Sequence, residues 1–172
     1  MSGTPHVLIT RQDIQAAIER MAGEIRRDYS DKNPLLIGIL KGSFIFMADL
    51  VRQIAMPLEV TFMRLSSYGS GIESSGKIKV LTRLSEEVKD RHIIVIEDTI
   101  DTGLTTAYFI DYLNKKKPAS VRLCSLTDKP SRHKIPVKID YLGFTVPDKF
   151  IVGYGIDWDE KYRYLSDICY IE

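Results

Sequence analysis

The sequence predicts an α/β protein with a mostly parallel central sheet flanked by helices. Short apolar runs alternate with segments of helical periodicity, and strands that alternate with helices in this way form parallel sheets covered on both faces. The chain has 172 residues, which favours one domain over two. Its last part is richer in strands than in helices, so we expect that part to form an antiparallel edge or a hood.

The first half of the chain predicts helix, strand and helix in turn. Thr10 followed by Asp13 resembles a capping signal, and apolar residues then recur at helical spacing to about Ser30. The run "LLIGIL" after Pro34 predicts a strand that is buried on both faces. A turn and a second helix over about 44–54 follow it.

A second apolar segment, residues 58–65, leads into "SSYGSGIESSGK", whose composition is typical of a mobile surface loop. This loop contains a near match to the nucleotide-binding P-loop. Ile78 stands where a hydroxyl should bind magnesium, however, and a strand-like run follows where a helix is needed. We therefore reject a P-loop.

The remaining segments continue the alternation. The runs "IKVL" and "HIIVIE" predict strands, and "LTTAYFIDYLNKK" predicts a helix. Further short strands are predicted at "VRLCSLT", "IDYLGF", "FIVGYG" and "ICYI".

Charge and composition exclude several classes of protein. Lys and Arg total 24 against 23 Asp and Glu, so the chain has no overall electrostatic attraction to nucleic acid or to a membrane surface. Cys124 and Cys169 lie in separate apolar segments, which predicts free buried thiols in a reducing compartment. His6, His92 and His133 share no metal-ligand spacing. No run approaches the roughly 20 apolar residues of a membrane span, and we expect a cytoplasmic protein.

The stretch "IIVIEDTIDTGLTT" ends a buried strand on acidic residues and opens a helix with hydroxyls. Ligands of open parallel sheets bind beyond the carboxyl ends of the strands, where Glu97 and Asp98 lie. Asp101 begins a tight loop at a helix N-terminus, a place that favours a phosphate monoester. The alternative is that these acids are solvated residues that cap the helix. Taken together, the residues favour a ligand whose hydroxyls, metal ion or ring nitrogen the carboxylates contact.

This stretch resembles the phosphoribosyl diphosphate motif of the type I phosphoribosyltransferases, in which two acids, two mostly apolar residues and then Asp-Thr-Gly-x-Thr follow an apolar run. Thr99 departs from the pattern, because that position is usually apolar, but Thr is tolerated in strands. The resemblance covers nearly the whole chain. It extends to the hypoxanthine-guanine phosphoribosyltransferases in "LIGILKGSFIFMADLVR", "MRLSSYG" and "PDKFIVGYGIDWDEKYRYL".

The resemblance implies the type I phosphoribosyltransferase fold over residues 1–172, with a small hood from the terminal segments, formed largely by the chain from about residue 140. It implies transfer of a 5-phosphoribosyl group from its 1-diphosphate to hypoxanthine or guanine, with magnesium (Mg2+) as the cofactor. It also implies small-molecule substrates and a homodimer or homotetramer, without a nucleic-acid or membrane partner.

Site residues are carried over by the same resemblance. The residues that would bind phosphoribosyl diphosphate are Lys41, Gly42, Glu97, Asp98, Asp101, Thr102, Gly103, Leu104, Thr105 and Arg163. Lys41 and Gly42 match a loop with an unusual cis peptide that presents a backbone N–H to pyrophosphate. Asp101 would also be catalytic, as the base or acid that exchanges a proton with purine N7.

The purine site and the lid are implied in the same way. Lys129 would donate to the oxygen on ring position 6, Phe150 would stack on the ring and Ile151 would offer backbone groups to its edge. Asp157 belongs to this site and would contact a metal ion, as would Glu97 and Asp98. Ser67 and Tyr68 match a lid loop that closes over the site.

One alternative function remains. Some proteins of this fold resemble the enzymes but act as RNA-binding regulators with weak or no base salvage activity, and for those we would expect a basic face. The only tight basic run here is "NKKKP", which is short and lies at a predicted helix end. Binding of generic RNA at two salt concentrations would distinguish the two functions.

Overall fold

The computed structural model describes residues 3–67, 78–80, 84 and 87–172, and these form strands and helices in the predicted alternation. The strands are β1 (Pro5–Ile9), β2 (Leu35–Leu40), β3 (Glu59–Ser67), β4 (Ile78–Val80), β5 (His92–Ile100), β6 (Ser120–Asp128), β7 (Tyr141–Thr145), β8 (Ile151–Val152) and β9 (Ile168–Ile171). The helices are α1 (Arg11–Tyr29), α2 (Phe44–Ile54) and α3 (Leu104–Asn114), and a single 3-10 turn spans Pro130–Arg132.

Among the described residues, the central sheet has six strands in the order β4-β3-β2-β5-β6-β7. The pairs from β3 to β7 are all parallel, and β4 pairs antiparallel with β3 at one edge. The predicted α/β class with a mostly parallel sheet is confirmed.

Apolar side chains cover both faces of this sheet because alternate residues of a strand point to opposite faces. On one face Leu36 and Ile94 pack into a core with α1 and α2. On the other face Ile37 and Val95 pack with Phe109 of α3. Strands that are apolar on both faces need helices on both faces, which explains the continuous apolar runs in the sequence.

The helix boundaries follow local signals in the sequence. The Thr10 side chain accepts a hydrogen bond from the backbone N–H of Asp13 at 3.2 Å, so the predicted cap of α1 is present. Helix α2 spans the predicted residues and ends at Ile54, and the next residue, Ala55, has a left-handed φ of 49°. Helix α3 begins after Gly103, whose φ of 78° turns the chain sharply out of β5.

The hood is a three-stranded antiparallel sheet in the order β1-β9-β8. Its residues Ile151 and Ile168 are buried in the same apolar core as α1. We expected the hood to begin at about residue 140, but β7 pairs in parallel with β6 and so belongs to the central sheet. The sequence analysis also did not predict β1, because the short run Pro5–Ile9 becomes a strand only by pairing with β9. That residues 1–172 form a single domain remains a prediction.

Two predictions about composition also have an outcome. Cys124 and Cys169 are free and buried, and burial raises the pKa of both thiols, as expected for unreactive cysteines. Within the described part of the chain, no helix has both the length and the apolar character to span a membrane.

Candidate active site

The chain leaves the neighbouring central strands β2 and β5 in opposite directions. From β2 it runs through α2 to β3, and from β5 it runs through α3 to β6 on the other side. At such a switch point the loops after the two strands diverge and leave a crevice at their carboxyl ends. Residues 41–43 and residues 101–103 are these two loops.

Strand β5 is longer than the sequence predicted. Its pairing with β2 ends at Ile96, whereas its pairing with β6 continues to Ile100. Glu97 and Asp98 therefore lie within β5, on the part of the strand that extends past its last partner in β2. Their backbone is held by β6, which leaves the carboxylates beside the crevice.

A cavity of about 220 Å³, called the helix cavity below, lies at the N-terminus of α3. Its lining residues are Ile39, Leu65, Glu97, Thr99, Asp101, Thr102, Gly103, Thr105 and Thr106. Glycine is required at residue 103, because its φ is positive and a Cβ there would overlap Val137. A cavity that combines hydroxyls with a helix N-terminus is suited to an anion such as a phosphate.

A second cavity of about 380 Å³, the hood cavity, lies between the ends of β5 and β6 and the hood. Its lining residues are Asp98, Thr99, Asp101, Lys129, Arg132, Asp148, Lys149, Phe150, Ile151, Ile156 and Asp157. Thr99 and Asp101 line both cavities. A ligand with an anionic end and a planar end could therefore occupy both and pass Asp101 between them.

The hood cavity places a buried cation near an exposed aromatic ring. Lys129 is 7% exposed, and its backbone N–H donates to the carbonyl of Ile100 at 2.9 Å. Burial lowers the pKa of its ammonium group. Phe150 is 53% exposed and meets Trp158 edge to face, with 5.8 Å between the ring centroids. These groups offer a stacking surface and a hydrogen-bond donor to a flat ring that carries an acceptor oxygen.

The surroundings of Glu97 and Asp98 in β5 disfavour the charged form of their carboxyl groups. Glu97 is buried and accepts a hydrogen bond from the Thr106 hydroxyl at 3.2 Å. Burial, and then the neighbouring charge of Asp98, hold the pKa of Glu97 well above its ordinary value. Burial also raises the pKa of Asp98 to about 6. A cation brought to this position by a ligand would relieve both costs.

Four charged residues form an ionic cluster beside Asp98. The Lys41 ammonium lies 2.5 Å from one carboxylate oxygen of Glu160, and the Arg163 guanidinium donates to the other at 2.9 Å. Arg163 also pairs with Asp157 at 2.8 Å and donates to the carbonyl of Gly155 at 2.8 Å. Hydrogen bonds from Lys41 and then Arg163 lower the pKa of Glu160 to about 2. Two cations from separate loops therefore pair with one carboxylate of the chain itself, that of Glu160.

Two glycines allow the loops of this cluster to touch. A Cβ on Gly42 would overlap the Asp98 carboxylate, and a Cβ on Gly155 would overlap the Gly42 carbonyl. Gly155 also has a φ of +96°, which other residues rarely adopt. The Leu40–Lys41 peptide is cis. The loop at Gly155 thus packs against the backbone of the loop after β2, and Gly42 lies against the Asp98 side chain of β5.

Comparison with known proteins shows the family. The model of the phosphoribosyl transferase domain matches residues 9–159 of the chain. The chain belongs to this family. A hypoxanthine phosphoribosyltransferase of Haemophilus influenzae is 42% identical over 165 residues, which cover 94% of this chain and 92% of that protein. A hypoxanthine-guanine phosphoribosyltransferase of Bacillus subtilis is 45% identical over 162 residues, which cover 94% of this chain and 90% of that protein.

Solved structures give the same result for the fold. The crystal structure of a hypoxanthine-guanine phosphoribosyltransferase from Bacillus anthracis superposes with a TM-score of 0.93 and 39% sequence identity, and the match covers 99% of this chain and all of that one (100%). A hypoxanthine phosphoribosyltransferase from Staphylococcus aureus has a TM-score of 0.93 at 36% identity, with 97% of this chain and 91% of that chain covered. The phosphoribosyltransferase fold and family expected from the sequence are confirmed.

Most of the residues expected to bind ligands in this phosphoribosyltransferase are brought together. The helix cavity is lined by Glu97, Asp101, Thr102, Gly103 and Thr105. The hood cavity is lined by Asp98, Asp101, Lys129, Phe150, Ile151 and Asp157. The roles assigned to these residues remain predictions.

Other expected ligand-binding residues lie outside both cavities. Lys41, Gly42 and Arg163 line neither cavity but belong to the ionic cluster and its glycine contact. Leu104 lines neither cavity, and its backbone N–H faces the Thr102 hydroxyl at 3.4 Å. The assignment of Leu104 as a ligand residue therefore has no direct support from the cavity geometry.

The predicted lid residues and Thr99 lie at the borders of the described site. Tyr68 and the side chain of Ser67 lie outside the described residues, so the lid loop stays a prediction. The Thr99 hydroxyl lies 2.9 Å from the Thr127 hydroxyl, and Thr127 also bonds the Asp98 carbonyl at 3.0 Å. A polar residue is therefore accommodated where the family pattern is usually apolar.

Sequence reasoning missed several residues of the site. Arg132 and Asp148 line the hood cavity, Glu160 joins the ionic cluster, and Trp158 supports Phe150. Spacing alone does not identify them, because the partner of a charged or aromatic loop residue is known only once the chain is folded. Closeness to predicted residues is the signal that could have found them. Arg132 lies near Lys129 in "DKPSR", and Asp148, Trp158 and Glu160 lie within "PDKFIVGYGIDWDEKYRYL".

The carboxylates partly fit a magnesium site. Among the described residues, no three Asp, Glu, His or Cys side chains are grouped to hold a metal ion. Magnesium in such enzymes keeps several waters and is bound by one or two carboxylates together with substrate phosphates, so a three-ligand group is not required. Asp98 and Asp157 line the same cavity and supply the oxygen ligands that magnesium prefers. Glu97 is the weaker candidate, because it is buried against Thr106.

The raised pKa of Asp98 predicts a pH dependence of stability. Because burial raises its pKa from 3.8 to about 6, the folded protein holds a proton that the unfolded chain releases between about pH 4 and 6. The free energy of unfolding contributed by this group therefore falls as the pH rises through that window. In urea unfolding without divalent cations, the free energy of unfolding of Asp98→Asn should depend less steeply on pH than that of wild type. Equal slopes in the two proteins would contradict this prediction.

Proposed function

We propose that this phosphoribosyltransferase is a purine salvage enzyme. It transfers the 5-phosphoribosyl group of 5-phospho-α-D-ribose 1-diphosphate to hypoxanthine or guanine and releases pyrophosphate, which gives IMP or GMP. The observation that carries the proposal is the meeting of two cavities at Asp101, one with hydroxyls at a helix N-terminus and one with a buried ammonium and an exposed aromatic ring. Relatives that are 42% and 45% identical bear the names of such enzymes.

In this proposal the nucleotide lies across the two cavities. The 5′-phosphate binds in the helix cavity at Thr102, Gly103 and Thr105, and the purine lies in the hood cavity against Phe150. Glu97 and Asp98 face the ribose hydroxyls between them. This arrangement brings the purine nitrogen and the anomeric carbon together, and such orientation supplies a large part of the rate in group transfer.

Asp101 is placed for proton transfer in this arrangement. It lines both cavities, so its carboxylate can reach a ring nitrogen of a purine whose ribosyl phosphate fills the helix cavity. As the new bond to the anomeric carbon forms, the purine loses a proton, and a carboxylate within hydrogen-bond reach can accept it. Lys129 meanwhile donates to the oxygen on ring position 6, and Ile151 contacts the edge of the ring through its backbone.

The diphosphate is assigned to the side of the ionic cluster. Lys41, Gly42 and Arg163 supply two cations and backbone donors to pyrophosphate. The proposed cofactor is magnesium, held by Asp157 and Asp98 with Glu97 near them. Magnesium would neutralise charge that develops on the leaving pyrophosphate. Ser67 and Tyr68 are proposed to belong to a lid that excludes water.

The remaining proposals concern the setting of the enzyme. We propose a homodimer or homotetramer in the cytoplasm that acts on small-molecule substrates. The near-neutral net charge of +1 favours no nucleic-acid or membrane partner. The alternative of an RNA-binding regulator has no support from the comparisons.

The proposal is tested by pyrophosphate release. The full chain is incubated with 5-phospho-α-D-ribose 1-diphosphate, magnesium and one base from a panel of purines and pyrimidines. Release that depends on hypoxanthine or guanine, with formation of the matching nucleotide, is the expected result. Release with pyrimidines alone, or no release with any base, would overturn the proposed function.

Asp101→Asn should keep the fold but lose proton transfer. General acid–base groups typically contribute ~10²- to 10⁴-fold, so kcat should fall within that range while the KM for phosphoribosyl diphosphate changes little. Asp111→Asn, on the exposed side of α3, is the matched control and should keep the wild-type kcat. An unchanged kcat in Asp101→Asn would show that another group exchanges the proton.

Lys129 should select 6-oxopurines over adenine. An ammonium group has donors and no acceptor, so it satisfies the oxygen of hypoxanthine or guanine but opposes the amino group of adenine. A site built to bond one substrate group can reject an analogue by about 10⁴-fold, and wild type should barely convert adenine. Lys129→Ala should lose activity on both 6-oxopurines, while Lys138→Ala at a site 88% exposed should not. Efficient use of adenine by wild type would mean that the purine pocket is misplaced.

Glu160 should compete with pyrophosphate for Lys41 and Arg163, because its carboxylate pairs with both cations. Glu160→Gln removes that competitor, so calorimetry should show pyrophosphate binding about 2- to 10-fold more tightly than to wild type, the modest range of exposed ion pairs. Asp159→Asn, which removes a neighbouring carboxylate paired with Lys161, is the control. Weaker binding by Glu160→Gln would show that Glu160 orients the cations instead.

A further inference from the structure

One guanidinium in the hood cavity holds two carboxylates from different segments of the chain. The Nε of Arg132 donates to Asp101, and its Nη1 donates to Asp148 at 3.2 Å. Asp101 follows β5, whereas Asp148 lies just before β8 of the hood. Arg132 therefore connects Asp101, the proposed proton-transfer residue, to Asp148 in the wall of the hood cavity.

The backbone around Arg132 is held against the loop that carries Asp101. The Arg132 N–H donates to the Lys129 carbonyl at 3.0 Å, and the Lys129 N–H donates to Ile100 at 2.9 Å. Two residues beyond Arg132, the Lys134 N–H donates to the Thr102 carbonyl at 3.0 Å. The turn is therefore tied on both sides to residues that flank Asp101, which limits where the guanidinium can reach.

Lys129 shares this cavity, and its charge is opposite to that of Asp101. Burial lowers the pKa of Lys129, and the charge of Asp101 partly opposes that shift, so the two groups interact. Among the described residues, the ion pair of Asp101 is nevertheless with Arg132 and not with Lys129. A direct pair between Asp101 and the buried ammonium would remove both the proton acceptor and the donor that a purine needs.

We propose that Arg132 is a positioning residue that binds Asp101 and Asp148 together and keeps the Asp101 carboxylate from pairing with Lys129. The inference rests on the proposed function, because it assigns Arg132 a task in that reaction. A planar guanidinium has several donors and can hold two carboxylates at once, which an ammonium does less well. Asp101 then stays at the junction of the two cavities, and Lys129 stays available to the purine oxygen.

The test compares three variants with wild type in steady-state kinetics with hypoxanthine. Arg132→Gln loses the charge, Arg132→Lys keeps it, and Lys134→Gln changes an exposed residue of the same loop as a control. Arg132→Gln should lower kcat about 10- to 100-fold, the cost expected when a reacting group is misplaced. The KM for phosphoribosyl diphosphate should stay within about 2-fold, and Arg132→Lys should recover part of the loss. Lys134→Gln should match wild type.

A second measurement separates positioning from loss of structure. Trp158 is the single tryptophan of the chain and packs against Phe150, so its fluorescence should report IMP binding in the hood cavity. Arg132→Gln should unfold at nearly the wild-type temperature but bind IMP several-fold more weakly, because Asp101 then engages Lys129. Asp148→Asn should lower kcat less than Arg132→Gln does, since Arg132 keeps its contact with Asp101.

Several outcomes would overturn the inference. If wild type is active and Arg132→Gln leaves kcat unchanged, the inference about Arg132 is wrong while the proposed function stands. A raised KM for phosphoribosyl diphosphate at constant kcat has the same meaning, since Arg132 would then bind that substrate directly. Equal losses of kcat in Arg132→Lys and Arg132→Gln also overturn the inference, as does a loss of kcat that accompanies a lower unfolding temperature. A wild type that forms no nucleotide overturns the proposed function and this inference with it.

Discussion

The parallel pairing of β2 with β5 is the interaction on which the rest of the site depends. It ends at Ile96, so the next two residues of β5 carry their carboxylates past the end of the pairing. It also brings the loop after β2 so close to Asp98 that a Cβ on residue 42 would overlap the Asp98 carboxylate. Because the chain leaves the two strands in opposite directions, a crevice opens there, and α3 begins with its N-terminus beside it.

The site concentrates charged side chains, and ion pairs within the chain compensate for part of that charge. Glu160 pairs with Lys41 and Arg163, and Arg132 pairs with Asp101 and Asp148. In the part of the chain that the structure describes, Glu97 and Asp98 form no ion pair, and burial raises the pKa of both, although the charge of Arg163 partly opposes this for Asp98. Lys41, Arg132 and Arg163 are thus paired with carboxylates of the chain itself, whereas the charged forms of Glu97 and Asp98 are disfavoured by burial. An anionic substrate that bound with a metal ion would replace Glu160 as the partner of Lys41 and Arg163. The affinity for that substrate would then depend on Glu160 even though Glu160 does not contact it.

Local patterns predicted most of the fold and a large part of the site. Helix α2 has the expected bounds, because apolar periodicity and the turn before it are local properties. The motif around Asp101 was recognised because one short segment carries all of its residues. Residues such as Arg132 and Glu160 could not be found in this way. A single charged side chain in a loop has the same appearance in sequence whether it is solvated or bound to a partner more than a hundred residues away, as Glu160 is to Lys41.

The sequence by itself determined the α/β class, the helices, the loop at the start of α3 and the family, since each depends on residues that are near one another in the chain or on a contiguous motif. Only the tertiary structure decided that β7 joins the central sheet, that β1 completes the hood, and that Asp101 lies where two cavities meet. The physical reason is that strand order and ion pairing are set by which distant surfaces bury each other best. That competition involves the whole chain and leaves no local pattern in any one segment.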